Sequence, residues 1–150
     1  MKTITLTINQ NTVIDRVATI TEYTGGKSED GARYDRERTV DEDKEELLQF
    51  WDVCRSDVVR VLSHVLKSEE VTATGDYNVT LELWDAFKDV LWPMMRQELE
   101  NYFVYGLTAR WYVYSNKELS DVYAAGAVRH LEALKSATIK KTFERGIKPF

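Results

Sequence analysis

The chain has 150 residues, 43% of them hydrophobic and 30% charged, with a formal net charge of −5. Such a composition is ordinary for a folded globular domain, and this length can bury roughly two-thirds of the surface its unfolded form exposes, so no staple is needed. One cysteine excludes an internal disulfide, and two prolines with seven glycines argue against a loop-rich or disordered chain.

The first residues, Met1 to Ile8, alternate Ile4, Leu6 and Ile8 with threonines, the period of a short half-buried strand. The same alternation lacks the continuous apolar stretch of a signal peptide. No later run approaches the roughly 18 apolar residues that cross a bilayer, so no membrane is expected. Thr12-Val-Ile-Asp15 has capping-box spacing, and Val13, Val17 and Ile20 follow at helical intervals before Gly25-Gly26. A helix over about 12–24 is predicted. Lys27 to Arg38 is charged without an apolar period and reads as a surface loop. Gly26-Lys27-Ser28 is no phosphate loop, because the glycine required five residues before Gly26 is Thr21.

Thr39-Val-Asp-Glu42 is a capping box followed by a first turn rich in acids, which suits a helix N-terminus. The helix is predicted to run to about Lys67, its apolar face traced by Leu47, Trp51, Cys54, Val58, Val61 or Leu62, and Val65. Cys54 on that face reads as a buried thiol, and His64 as a rim residue. Val71 to Thr74 and Tyr77 to Leu83 flank Gly75-Asp76, which predicts a β-hairpin with a two-residue turn. A lone hairpin is marginal in water, so it must pack on helices or pair with another strand, either Ile4–Ile8 or one from a neighbouring subunit. Asn78-Val-Thr80 matches a glycosylation sequon and is read as chance.

Trp84 to Trp92 is compatible with a short helix, and Pro93 fits the first position of a longer one. Met95, Leu99, Tyr102 or Phe103, Gly106, Leu107, Arg110 or Trp111, and Tyr114 trace that helix to about 114. Gly106 in its middle suggests close approach of another backbone, such as a facing helix. Ser115-Asn-Lys-Glu118 is a third capping box, so the last helix folds back on the previous one. Its inner stripe is Leu119, Val122 or Tyr123, Ala127, Leu131, Leu134 and Thr138. Small residues 124–127 admit tight approach, with Trp111 and Tyr123 facing each other.

Residues 135–150 hold five basic side chains (Lys135, Lys140, Lys141, Arg145, Lys148) and one acid, Glu144, a net of +4; the other 134 residues therefore carry −9. An acidic body with a basic tail suggests an electrostatic contact made by the tail. Cations near a helix C-terminus are also favoured by the helix dipole alone. The fold class expected is mainly α: one domain over 1–150, a helical bundle with a long C-terminal antiparallel helical hairpin, a short N-terminal strand or arm (1–10), a small β-hairpin, and a basic tail (139–150).

No residue cluster announces a reaction. His64 and His130 lie on different helices without zinc-ligand spacing, and serine nucleophile elbows and CxxC pairs are absent. Glu98 and Glu100 point about 200° apart on a helix, and Glu98 with Tyr102 reads as a solvated face. The aromatic run from Tyr102 to Tyr114 has few cations beside it and reads as packing and interface rather than base stacking. No catalytic residue, cofactor or metal site is expected.

Tyr102-Phe-Val-Tyr-Gly-Leu-Thr-Ala-Arg-Trp111, then Ser115-Asn-Lys-Glu118, Tyr123 with its small residues, Leu131-Glu-Ala-Leu-Lys135 and the basic tail form a pattern. It resembles the C-terminal helical hairpin of tailed-phage head–tail connector proteins, the adaptor or ring proteins beneath the portal, including those of crAss-like phages and related Bacteroidales elements. Asp35-Arg-Glu-Arg-Thr-Val-Asp-Glu-Asp43 with Leu47, Phe50 and Trp51 is similar to the entry of their first long helix. The resemblance implies a structural subunit of the virion neck, made in the bacterial cytoplasm. It implies a homo-oligomeric, twelve-fold ring around the DNA channel, stacked on the portal or on an adjacent neck or tail ring. It also implies that Lys140, Lys141, Phe143, Arg145, Ile147, Lys148 and Phe150 contact a neighbour. An acidic body suits a channel through which DNA slides. The family's end often carries more prolines and arginines than Gly146-Ile-Lys-Pro149 does. Two other readings compete: a nucleic-acid-binding helical module using the basic tail, and a small helical regulator of the host.

Overall fold

The structure, a computed structural model, describes residues 1–26 and 43–140, with side chains described outside 23–26. The described residues form four helices and one three-stranded antiparallel sheet, a mainly α architecture. In chain order these are β1 (Lys2–Asn9), α1 (Gln10–Gly26), α2 (Lys44–Val61), β2 (Leu66–Val71), β3 (Asp76–Leu83), α3 (Trp92–Tyr112) and α4 (Lys117–Ala137).

The sheet order is β1-β3-β2, so the N-terminal strand completes the hairpin from the far side. Ile4, Leu6 and Ile8 lie opposite Leu81, Val79 and Tyr77, and all six are buried on one face. The other face is a polar ladder: Thr5 Oγ1 to Thr80 Oγ1 at 3.1 Å, Thr7 Oγ1 donating to Asn78 Oδ1 at 2.7 Å, and Asn9 Nδ2 donating to Asp76 Oδ1 at 2.8 Å. The period-two alternation thus fixes which side meets the helices, because a one-residue slip would bury the threonines instead. Asn78, of the sequon match, is occupied within this ladder.

Helix α1 starts at Gln10, capped by Asn9 rather than within the Thr12-Val-Ile-Asp15 box: Asn9 Oδ1 accepts from the Asn11 and Thr12 amides at 2.9 and 3.2 Å. The strand therefore passes into the helix without a loop. The capping box at 39–42 lies outside the described residues, and Glu45 and Glu46 occupy the first turn of α2. Leu47, Trp51, Cys54, Val58 and Leu62 are buried, as the apolar face predicts.

That helix ends at Val61, not near Lys67. Val65 N and Leu66 N still bond to Leu62 O at 3.0 and 2.9 Å, a tight turn that preserves the helical apolar spacing after the helix has stopped. Glu82 N then bonds to Val65 O, and the chain runs extended as β2. β2 escapes the sequence pattern because it is an edge strand, and Lys67, Glu69 and Glu70 give it the charged character that discourages edge-to-edge pairing. The turn of the hairpin is correspondingly longer than two residues. Thr72 to Gly75 form it, closed by Gly75 N to Thr72 O at 3.0 Å, while Asp76 is the first residue of β3. Gly75 has φ +87°, a conformation that glycine adopts without a Cβ penalty.

Between β3 and α3 the chain holds only a short 3-10 turn, Asp89–Leu91, in place of the possible helix over 84–92. Pro93 then sits in the first turn of α3, where a missing N–H costs nothing. α3 is the central element. It buries residues all round its axis, including Met95, Leu99, Phe103, Val104, Leu107 and Tyr112, and it packs on α1, α2, α4 and β1. Trp51 from α2 stacks on Phe103 at 4.1 Å, and Tyr77 from β3 meets both rings edge-on at 5.8 and 5.4 Å. This trio joins two helices to the sheet. Tyr114 lies beyond the end of α3 and is fully exposed.

Candidate interaction surface

Phe87 is buried within the segment joining β3 to α3, with Trp84 edge-on to it at 5.4 Å. The N-terminus ties this segment down. Lys2 Nζ donates to Phe87 O at 2.8 Å and to Asp89 Oδ1 at 3.1 Å, and the Met1 amino group lies 2.7 Å from Asp85. Trp92 Nε1 donates to Thr5 O at 2.9 Å, covering part of the outer edge of β1. The end of α4 comes alongside and leaves a groove of about 640 Å³. The linker and the start of α3 give it Trp84, Leu91 and Met94; the end of α4 gives it Ala137, Ile139 and Lys140. Met94 and Ile139 are 41% and 48% exposed, and Val90 and Trp92, on the same stretch of chain, are 77% and 41% exposed.

Of the residues expected to meet a partner, Lys140 is exposed at the rim of this groove. Asp85 lies nearby. Its carboxyl is held below the usual range, first by its hydrogen bond to the Met1 amino group and further by the charges of Lys2 and Lys140. Lys141, Phe143, Arg145, Ile147, Lys148 and Phe150 lie outside the described residues.

The seam between α3 and α4 is built from contacts that step in opposite directions along the chain. Ser120 Oγ donates to Ala109 O at 2.8 Å, Tyr105 meets Tyr123 edge-on at 5.4 Å, and His130 Nδ1 lies 2.6 Å from Glu98 Oε2. Tyr105 also covers the His130 ring at 4.9 Å. Glu98 is therefore an interhelical partner, not a solvated pair with Tyr102. A ring packed near-parallel to Tyr123 is that of Tyr112, at 6.2 Å. Of the small residues 124–127, Gly126 and Ala127 are buried in the seam, while Ala124 and Ala125 are exposed. A Cβ on Gly126 would lie 2.5 Å from Tyr105 Cδ2, so the glycine makes room for that ring. The cap of α4 is Asn116, whose side chain accepts from Leu119 N at 3.2 Å, one residue later than the Ser115 box predicts.

Sequence reasoning missed the role of Glu100. It is 6% exposed and is neutralised by Arg16 at 2.8 Å and Arg96 at 3.2 Å, with Arg16 also donating to Asn101 Oδ1 at 2.9 Å. A buried carboxylate without such partners would be costly, so Arg16 fixes the approach of α1 to α3 while Arg96 braces the carboxylate from within α3. The legible signal was an acid embedded in a helix that is apolar on every side. Arg96, four residues earlier, was the visible half of the network.

Cys54 packs against Gly106, where a Cβ would lie 2.8 Å from the sulfur. The glycine thus admits a side chain from α2, not the backbone of a facing helix. Burial, the largest cause, pushes the thiol up to about 11, which keeps it protonated and unreactive near neutrality. His64 donates to or accepts from Thr138 Oγ1 at 3.0 Å, a rim contact between the turn after α2 and the end of α4. Among the described residues, no three His, Cys, Asp or Glu side chains converge as metal ligands, and no helix is long and apolar enough to cross a membrane. No protein-family model matches the chain, and no curated protein or solved structure matches it either.

Proposed function

We propose that the chain is a structural subunit of a tailed-phage head–tail connector, which assembles with copies of itself into a ring below the portal around the DNA channel. The observation that carries this reading is the largely apolar groove at the root of the basic tail, in whose lining Met94 and Ile139 are exposed. A contiguous exposed apolar region beside charged residues is characteristic of a surface that meets another protein. In the ring, α3 and α4 form the helical hairpin of a compact bundle, and the tail, carrying +2 over residues 141–150, reaches an acidic neighbour. The tail supplies steering by charge and anchoring by Phe143, Ile147 and Phe150. The proposed role is one of assembly, without catalysis, cofactor or metal.

The test is localisation. An epitope-tagged chain expressed from its native locus is followed into purified particles by immunogold electron microscopy. Gold at the junction of head and tail is expected, with native mass spectrometry showing ring-sized oligomers once portal is added. Particles without label would refute the reading. Salt-sensitive binding to DNA that vanishes on deleting 139–150, without ring formation, would point instead to the nucleic-acid-binding module.

A further inference from the structure

We propose that in the free subunit the groove between the 84–94 segment and the end of α4 is the seat of the chain's own C-terminal residues 141–150. The inference stands on the groove's geometry and holds whether or not the connector reading does.

Three observations carry it. First, the described chain leaves the body at this place: Ile139 and Lys140 themselves line the groove. Ten residues follow, a reach of up to roughly 35 Å when extended, several times what is needed to turn back over neighbouring side chains. A segment tethered so closely has an effective concentration in the millimolar range, so even a weak contact is populated. Second, the chemistries match. The lining of Trp84, Leu91, Met94, Ala137 and Ile139 is apolar, with Lys88, Ser136 and Lys140 as its polar members, and the segment presents Phe143, Ile147 and Phe150 at intervals of four and three residues. Spread along an extended segment at about 3.3 Å per residue, those intervals space the three side chains over the length of the groove. Third, charges agree at the near end. Asp85 and Asp89 are exposed there, with side chains 87% and 70% accessible, and Lys141, Arg145 and Lys148 outnumber the single acid Glu144 in the segment. Lys140 already lies in the field of Asp85.

The occupant is the same chain because the tether favours it in dilute solution. A neighbouring copy's tail would compete only where copies are held together, as in a ring, which makes the groove exchangeable between partners.

The experiment compares the full chain with a chain ending at Lys140 by methyl NMR at about 50 µM, reading the Met94 and Ile139 methyl groups. In the full chain, contacts from Phe143 or Ile147 to the Met94 methyl are expected, undiluted by mixing with an isotopically unlabelled copy. The shortened chain should show both methyls shifted. A synthetic peptide of residues 141–150 should restore them with a Kd below about 1 mM, the tethered concentration it must match. Met94→Glu, at an exposed position, should weaken that peptide at least tenfold without unfolding the body. The triple change Phe143→Ala, Ile147→Ala, Phe150→Ala should reproduce the shortened chain if truncation itself perturbs folding. Unchanged Met94 and Ile139 methyls in both the shortened and the triple variant would overturn the proposal. So would contacts that appear only between differently labelled copies, since the seat would then belong to a second molecule. Loss of particle localisation with these contacts intact would sink the connector reading alone.

Discussion

Replacing Gly106 by alanine opposes two effects that the structure separates. In an isolated helix the change stabilises by about 1 kcal/mol, because glycine has the greater backbone freedom to lose. Here the new Cβ would lie 2.8 Å from Cys54 Sγ, closer than packed atoms tolerate. The sulfur is buried on α2 and cannot swing into solvent, so α2 and α3 must separate slightly. Overpacking of this kind costs about 1–3 kcal/mol, leaving a net loss of about 0–2 kcal/mol. The next nearest atom, Arg110 Nη1, is at an ordinary 3.5 Å, and among the described residues no other atom outside the helix's own neighbourhood comes within 4 Å. Removing the sulfur should therefore remove the whole conflict. Cys54→Ala alone is expected to cost about 0.5–1.5 kcal/mol, as for one methyl-sized atom. In that background Gly106→Ala should stabilise by about 1 kcal/mol. The four chains of the cycle, unfolded in urea and compared through midpoint and slope, should give a coupling of about 1–3 kcal/mol. Additivity within about 0.5 kcal/mol would refute the packing argument.

Asn116→Ala should cost about 1 kcal/mol in the same assay through loss of the α4 cap, whereas Ser115→Ala should change stability by less than about 0.5 kcal/mol; equal effects would return the cap to Ser115. Arg55 holds Glu69 through Nε and Nη2 at 2.5 and 2.9 Å, which keeps the Glu69 carboxyl below its ordinary 4.5. Its folded pKa is depressed, so its contribution is present above about pH 4.5 and is lost as pH falls through the folded value. Glu69→Gln should flatten the acid limb of the stability–pH curve, and an unchanged limb would count against the pair. With its thiol raised from 9.0 to about 11, Cys54 should react with iodoacetamide at pH 8 roughly a hundred times more slowly than an unperturbed cysteine, before any slowing from burial. Labelling of the folded chain at the free-thiol rate, followed by mass spectrometry, would show the site to be open.

The periods of the apolar residues determined most of the elements. Ile4, Leu6 and Ile8 could only alternate as a strand, Leu47 to Val58 could only line one helix face, and Pro93 could only open a helix. Those signals are local, and local chemistry was enough to place them. The tertiary structure decided what depends on partners distant in sequence. β2 is an edge strand whose charges conceal its pairing, and it became visible only opposite β3. Asn9 and Asn116 outcompeted the nearby capping boxes because the preceding strand and turn set where each helix begins. Gly106 and Gly126 admit Cys54 and Tyr105, and no spacing in the sequence names the side chain a glycine must accommodate. The same holds for Glu100 and Glu98. A carboxylate on a helix carries no mark of Arg16, 84 residues away, or of His130, 32 residues away, until folding brings the charges within reach. The groove beside Lys140 likewise belongs to no single segment. It exists because the N-terminus pins the 84–91 linker at the place where α4 ends.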